Sequence, residues 1–519
     1  MMSTFDNGRR RLIQGLGIGL LLPGVAPAVI AGAKQRPLML EGVQSGDVQG
    51  DRAIVWSRCD RPARMVVEWD TKESFRHLRR MVSPVATEET DYTMRMDLRG
   101  LPVDQSIFYR VRFEDMYSGL QSEPAFGHLR STPGHRTDIR FVWSGDTVGQ
   151  GFGINPDIGG MRIYEAMRRR QPDFFLHSGD TIYADGPLEA KTTTVEGKVW
   201  RNITTEAKSK VAETVDEYRG NYRYNLMDEN VRRFNAEVPQ IWQWDDHETT
   251  NNWSSTKTLD DRYTVKDISV LAKRSRQAYL EYAPMRLQQR DDAGRIYRKV
   301  SYGPRLDIFV LDMRTYRGGN STNLQPNAGP DTAFLGRTQM EWLKQGLVES
   351  TATWKVIAAD MPIGLNVPDG TDASGLPRWE AIANGNNGQA LGRELEVAEL
   401  LSYIRRWKIR NTVWLTADVH YCAAHHYHPN RAAYQDFEPF WEFVAGPLNA
   451  GAFGPNTLDN TFGPEAVFVK APPVANSSPL SGFQFFGEVN IEGKSGDLTV
   501  TLRDLDGKAV FEKTLQAAV

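Results

Sequence analysis

The sequence predicts an α/β protein with a small all-β region in front of its main body, and three observations carry that expectation. First, five short apolar runs each end on a carboxylate. Val142-Trp143-Ser144-Gly145 leads to Asp146, and Phe174-Phe175-Leu176-His177-Ser178-Gly179 leads to Asp180. Gln240-Ile241-Trp242-Gln243-Trp244 leads to Asp245 and Asp246, Trp354 to Ala359 leads to Asp360, and Val413 to Ala417 leads to Asp418. Runs that are apolar on both faces are central strands of a parallel sheet, whose carboxyl ends gather ligands. Second, segments of helical periodicity lie between these runs. Third, residues 35–132 alternate apolar and polar instead.

Taken in order, the first segment, residues 1–33, is a targeting signal. Arg9-Arg10-Arg11 precedes a short Gly/Leu-rich stretch (Gln14 to Leu22) and the small-residue site Ala31-Gly32-Ala33. The paired arginines favour the twin-arginine export machinery as a partner, with an ordinary secretory signal as the alternative. Either route leads to the periplasm or outside the cell, with no stable membrane insertion after cleavage. Residues 35–132 hold alternating strands such as Arg52–Arg58, Met65–Trp69, Met94–Leu98 and Ser106–Phe113, the pattern of a small immunoglobulin- or fibronectin-type sandwich. Ser131-Thr132-Pro133-Gly134 is a linker, and residues 139–519 form the α/β body. Helices are expected over 163–170, 267–282, 336–348 and 392–407, with helical excursions across 188–236. Segments 316–332 and 366–390, rich in Gly, Asn and Pro, are long loops of the kind that are functional or mobile. The final 35 residues return to β, with Asp506-Gly507 as a hairpin turn.

At 519 residues the chain can bury a large core, and a formal net charge of −3 gives no drive toward nucleic acid or anionic lipid. Its two cysteines, Cys59 and Cys422, are expected as buried free thiols, although spacing alone does not exclude a disulfide.

The strand ends define a candidate cation site. Gly179 lets the backbone bend so that Asp180 can bridge two cations, and Tyr183 can reach the same place from the next turn. A phenol keeps its proton to about pH 10, so tyrosine ligation calls for a strong Lewis acid, Fe(III) being the natural one. Asp245-Asp246-His247-Glu248 resembles the Gly-Asn-His-Asp/Glu turn of metallophosphoesterases. On that template Asp246 is a ligand and His247 faces the phosphate. Asp418-Val419-His420 resembles their closing Gly-His-x-His, with Asp418 in place of the first His. That exchange hardens the site toward Ca²⁺ or Mn²⁺ rather than Zn²⁺.

Five motifs in order, SGDTVGQGFGINP (144–156), HSGDTIYADGP (177–187), WDDHETTNNW (244–253), TADVHY (416–421) and AGPLNAGAFGPN (445–456), make residues 36–519 resemble the PhoD-type alkaline phosphatase/phosphodiesterase family. The resemblance implies a calcineurin-like four-layer metallophosphatase sandwich, an Fe(III) and Ca²⁺ centre, small phosphomonoester and phosphodiester substrates, and twin-arginine export. It matches Asp180, Tyr183, Asp246, Asn252, Asp418 and His420 to family metal ligands. Better-known members carry a cysteine ligand in the first motif. Here Asp146 takes that place, which leaves Mn²⁺ or Zn²⁺ open as alternatives. Asp245 and Asp360 are further candidate ligands, and Asp360 could instead cap the turn that follows it.

The chemistry implied is attack by a metal-activated water, with His247 protonating the leaving alkoxide or holding a phosphoryl oxygen. Arg162 or Arg314 is a candidate fork for the phosphate. His425, His426 and His428 do not read as a metal cluster, because strand alternation sends 425 and 426 to opposite faces. His177 and the tryptophans at 242, 244, 253 and 414 read as core, and Cys422 as structural. The competing functions are a phospholipase D-like or teichoic-acid-type phosphodiesterase and, in a different class, a secreted Ca²⁺-binding module without catalysis.

Overall fold

A computed structural model describes residues 36–287 and 294–518; the expected signal segment, residues 1–33, lies outside the described residues. Seven strands come first: β1 (Val43–Gln49), β2 (Arg52–Arg58), β3 (Ala63–Asp70), β4 (Arg79–Ala86), β5 (Thr93–Leu98), β6 (Ser106–Asp115) and β7 (Ala125–Arg130). They divide into β1-β2-β5 and β4-β3-β6-β7. Val55, Met65, Val67, Val111 and Phe113 join one apolar core between the two sheets. This is the all-β sandwich read from the alternation.

The hydrogen bonding does not stop at the linker. β1 also pairs in parallel with β12 (Gln240–Gln243) through Gly46 and Gln240, which joins three strands of the sandwich to the main sheet. Gly46 permits that approach, since a Cβ there would stand 2.3 Å from the Pro284 carbonyl and 2.4 Å from the Gln240 carbonyl.

The body adds β8 (Ile139–Ser144), β9 (Phe174–Ser178), a small hairpin of β10 (Lys191–Thr193) and β11 (Val199–Arg201), then β13 (Arg298–Ser301), β14 (Leu306–Val310) and β15 (Trp354–Ala358). A second hairpin, β16 (Pro368–Thr371) and β17 (Pro377–Trp379), precedes β18 (Thr412–Thr416), β19 (Cys422–Tyr427), β20 (Phe440–Val444) and β21 (Pro464–Lys470). The last strands are β22 (Phe485–Ile491), β23 (Leu498–Asp504) and β24 (Ala509–Leu515). One sheet runs β24-β23-β22-β8-β9-β12-β1-β2-β5 and the other β13-β14-β15-β18-β20-β19-β21. Within them β8, β9 and β12 are parallel neighbours, as are β14, β15, β18 and β20.

Strand alternation explains the layers. Phe141, Trp143, Leu176 and Ile241 of the first sheet meet Ile308, Val356, Ala358 and Leu415 of the second in one apolar layer. The opposite residues, Val142, Phe175 and Trp242, pack on α1 (Arg162–Arg168), α2 (Val215–Asn225), α3 (Glu229–Glu237) and α4 (Ile268–Tyr282). Phe309, Ile357 and Trp414 pack on α5 (Arg337–Glu349) and α6 (Glu394–Arg406). Each fully buried large side chain contributes about 1.5–3 kcal/mol, so helix, sheet, sheet and helix hold together by burial. The result is a four-layer sandwich with the carboxyl ends of its central strands on one edge.

The span 188–236 is not helical from its start: Thr192, Thr193 and Thr194, followed by Gly197, make the β10–β11 hairpin, a single 3-10 turn follows over Glu206–Lys208, and α-helix begins only at the Thr214 cap, where Thr214 and Glu217 form a capping box. The loops 316–332 and 366–390 are tied to one another through Arg393. The buried Arg393 guanidinium donates to the carbonyls of Gly318, Gly319, Trp379, Glu380 and Ala381. Cys59 and Cys422 are free and buried. His425 turns inward to Glu442 at 2.9 Å while His426 lies against Trp441, as alternation requires. His177 is a core histidine bonded to Thr147, and burial lowers it to about 3.

Candidate metal centre

The expected site residues stand just past β8, β9, β12, β15 and β18, where both sheets open onto the same edge. Their backbone is unusual. Asp146 (φ 70°), Asp180 (52°), Asn252 (54°), Asp418 (64°) and His420 (59°) all occupy the left-handed region. Such conformations cost of order 1–3 kcal/mol each and cluster at functional sites, with Asn, Asp and His tolerating them best. Gly179, beside Asp180, holds φ 100°, and a Cβ there would sit 2.4 Å from the Cβ of Asp245.

Asp146, Asp180 and His420 bring one donor atom each within 4.8 Å of one another. The Nδ1 of His420 faces the Gly451 carbonyl at 2.5 Å. A carbonyl only accepts, so Nδ1 carries the hydrogen and Nε2 keeps its lone pair. That Nε2 lies 2.9 Å from the Tyr183 hydroxyl and 3.6 Å from Asp146. Burial lowers His420 to about 4, which keeps the imidazole neutral and able to ligate. Asp146 Oδ2 is buried without a hydrogen-bond partner.

A second group, Asp180, Asp246 and His247, also falls within 4.8 Å, and Asp180 belongs to both. The Asn252 backbone N–H donates to Asp246 Oδ2, and the His247 backbone N–H donates to Asp180 Oδ1 at 3.1 Å. His247 stacks on the Tyr183 ring with centroids 4.2 Å apart. Its Nδ1 meets Asp185 Oδ1 at 2.7 Å, which leaves Nε2 toward Asp246 at 3.9 Å. Burial opposes the imidazolium, but the carboxylates of Asp185, Asp246 and Asp180 outweigh it and lift His247 well above its ordinary value.

Asp185 and Glu248 were not among the expected site residues. Asp185 lies within the motif that holds Asp180, where Ala-Asp-Gly reads as a plain turn. Glu248 accepts from the Thr181 amide and hydroxyl, both at 2.6 Å, and from the Asp245 amide at 2.9 Å, so it ties the second motif to the third.

The electrostatics ask for a cation. Burial, reinforced by neighbouring carboxylates, raises Asp146, Asp180 and Asp418 well above the usual carboxylate range. Burial and the same carboxylates raise the Tyr183 phenol. Hard oxygen donors around one neutral imidazole, with an orphaned carboxylate oxygen among them, fit metal ions.

Four candidates, Arg314, Asp245, Asp360 and Arg162, stand in other surroundings. Arg314 is no exposed phosphate fork. It is 1% exposed and donates to Asp245 at 2.6 Å and to Glu380, with Asp360 at 3.5 Å and Asp418 at 3.8 Å. Asp245 is thereby paired with a guanidinium, the group that offsets its charge in this dry interior. Asp360 accepts from the Met361 amide at 2.7 Å, which is the turn-capping alternative, while its other oxygen faces Arg314. Arg162 is half-exposed on α1 and pairs with Asp506 of the C-terminal hairpin at 3.5 Å, outside the gathered groups.

Comparison with known proteins places this geometry. Residues 24–133 match the PhoD-like phosphatase N-terminal domain. The chain is 26% identical over 494 residues to alkaline phosphatase D of Bacillus subtilis (strain 168), covering 88% of this chain and 79% of that one. A solved structure of PhoD superposes with a TM-score of 0.70 at 20% identity, over 92% of this chain and 90% of that one. Purple acid phosphatase PPD1 from yellow lupin (Lupinus luteus) seeds superposes with a TM-score of 0.56 at 13% identity, over 93% and 74%. The fold is therefore the calcineurin-like metallophosphatase sandwich with an all-β region in front. Residues 141–502, which contain every donor gathered at the sheet edge, match the PhoD-like phosphatase model, and the chain belongs to that family.

Proposed function

We propose that this metallophosphatase is an exported enzyme that hydrolyses phosphomonoesters and phosphodiesters at a two-cation centre holding Fe(III) beside Ca²⁺. The observation that carries the reading is the shared carboxylate: Asp180 contributes to both donor groups. Similarity to a protein named alkaline phosphatase D supports the substrate class. The basic N-terminus and Ala31-Gly32-Ala33 support export to the periplasm or beyond.

Tyr183 supports Fe(III) in the first position. Its phenol is buried beside Asp180 and Asp146, so only a strongly Lewis-acidic ion takes its proton there. The oxygen donors of Asp246, Asn252 and Asp418 support Ca²⁺ in the second. Cations held by these donors would supply the charge that offsets the phosphoryl oxygens and the Lewis acidity that lowers the pKa of a bound water. The protein keeps Asp146, Asp180 and Asp246 almost wholly buried at the packed strand ends. His247, oriented by Asp185, delivers a proton from Nε2 to the leaving alkoxide oxygen.

A visible absorption spectrum with elemental analysis tests the metal assignment. A broad tyrosinate-to-Fe(III) band is expected, and Tyr183→Phe is expected to abolish it. A colourless, active protein loaded with other divalent ions would reject iron, while a colourless, metal-free and inactive protein would reject the enzyme reading.

Metal removal gives a second expectation. The folded-state values of Asp146, Asp180 and Asp418 lie above their unfolded values, so without cations their neutral forms stabilise the fold only at low pH. That contribution is full below about pH 4 and is lost as pH rises through the raised values. Cations replace those protons. The Tm difference between loaded and chelator-treated enzyme is therefore expected to widen by calorimetry as pH rises above about 4, the ordinary Asp value, through the raised values. A difference that stays flat or narrows would separate the carboxylate cluster from cation binding.

A further inference from the structure

Three loops meet beside the second donor group, and one carboxylate fastens them together. Asn252 lies in the third motif, Asn320 in the loop 316–332, and Asp369 on β16 within the loop 366–390. Asp369 Oδ1 accepts from Asn252 Nδ2 at 3.1 Å, and Asp369 Oδ2 accepts from Asn320 Nδ2 at 2.9 Å. The same Asn320 nitrogen also donates to the Asn252 carbonyl at 3.0 Å, which closes a ring of three residues. Asn320 is held in this orientation from behind, since its Oδ1 accepts from Arg393 at 2.8 Å and from Arg317 at 3.1 Å. Lys257 and Arg378 flank Asp369 at 3.7 and 3.9 Å.

The chemistry of the ring fixes the Asn252 side chain. An ionised carboxylate only accepts hydrogen bonds, so the Asn252 amide must turn its NH₂ to Asp369. Its Oδ1 is then the end left for a cation. The backbone N–H of the same residue is already committed to Asp246 Oδ2. Asn252 also holds φ 54°, in the left-handed region that Asn tolerates better than most residues.

We propose that Asp369 is a positioning residue for the second cation, acting through Asn252, and that it closes the loops 316–332 and 366–390 onto the site by the same two bonds. The proposal rests on the reading of Asn252 as an oxygen ligand. Groups that orient ligands in this way typically change metal affinity about 10- to 100-fold when removed.

The test equilibrates the full chain with buffered Ca²⁺, counts bound metal by elemental analysis, and follows folding by thermal melting. Asp369→Asn, nearly the same shape, is expected to weaken Ca²⁺ binding at least about 10-fold while metal in the first position is retained. Asp369→Ala repeats the measurement should the extra NH₂ of the Asn variant disturb folding. Asn252→Ala is expected to weaken Ca²⁺ at least as much, and the double variant Asn252→Ala/Asp369→Ala no further than Asn252→Ala alone, because the two residues act as one unit. Arg378→Met, which touches Asp369 but not Asn252, serves as the control and keeps affinity within about threefold of the parent.

Separate, additive losses would reduce Asp369 to general support of the loops and overturn the proposal, as would an unchanged affinity in both Asp369 variants. If Asn252→Ala itself leaves Ca²⁺ binding intact, the ligand reading fails and the proposal falls with it.

Discussion

Asp180→Asn is expected to lower kcat for ester hydrolysis by about 10³-fold or more and to weaken both cation positions together. The size follows from where the residue stands. It is the one side chain common to the Asp146–His420 group and the Asp246–His247 group, and it is 1% exposed. A carboxylate offers two equivalent oxygens and a full negative charge, so it can serve one cation with each. An amide offers one oxygen, and its NH₂ would face either a cation or the His247 backbone N–H that now donates to Asp180 Oδ1. Asp146→Asn serves as the comparison, because Asp146 belongs to the first group only, and its loss is expected to spare the second position. Kinetics and elemental analysis on the two variants decide the matter. Should Asp180→Asn retain a full complement of either metal with more than about a tenth of the activity, the shared carboxylate is not the organising ligand.

Much of this architecture is legible in the sequence because it is dictated locally. A strand buried on both faces must be apolar throughout, so the runs at 142, 174, 240, 354 and 413 announce the two sheets. A carboxylate that must leave such a strand end at positive φ needs Asp or Asn, often after Gly, and that pattern marks Asp146, Asp180 and Asp418. What escapes is set by contacts that no local period records. Arg314 meets Asp245 across 69 residues, and a lone Arg in Asp-Met-Arg-Thr carries no sign that its partners are carboxylates rather than a substrate. The parallel pairing of Gly46 with Gln240 likewise joins the front sandwich to the main sheet through one bridge that alternation within either segment cannot reveal. Asp185 and Asp369 sit in Ala-Asp-Gly and Pro-Asp-Gly, sequences that serve equally well as ordinary turns. Only the side chains that fold against them give these two carboxylates a task.

His247→Ala is expected to reduce hydrolysis of a simple alkyl phosphate ester by about 10²- to 10⁴-fold, the usual contribution of a general acid. The loss should depend on the leaving group. An alkoxide is a strong base that departs slowly unless protonated, whereas a nitrophenolate departs without help, so the nitrophenyl ester is expected to lose much less. Metal content separates this role from ligation. His247 lies close enough to Asp180 and Asp246 to be counted with them, yet its Nδ1 is engaged by Asp185 at 2.7 Å and its ring is stacked on Tyr183. A general acid leaves both cations in place when removed, while a ligand takes one away with it. Asp185→Asn extends the argument. The amide can still accept from Nδ1 through its oxygen but no longer supplies the charge that favours the imidazolium, so activity toward the alkyl ester falls part of the way. Because Asp185 acts through His247, the pair His247→Ala/Asp185→Asn is expected to be no slower than His247→Ala alone. Equal losses on both esters, or loss of a metal with the imidazole, would move His247 from proton delivery to metal binding and leave the leaving oxygen without a protein donor.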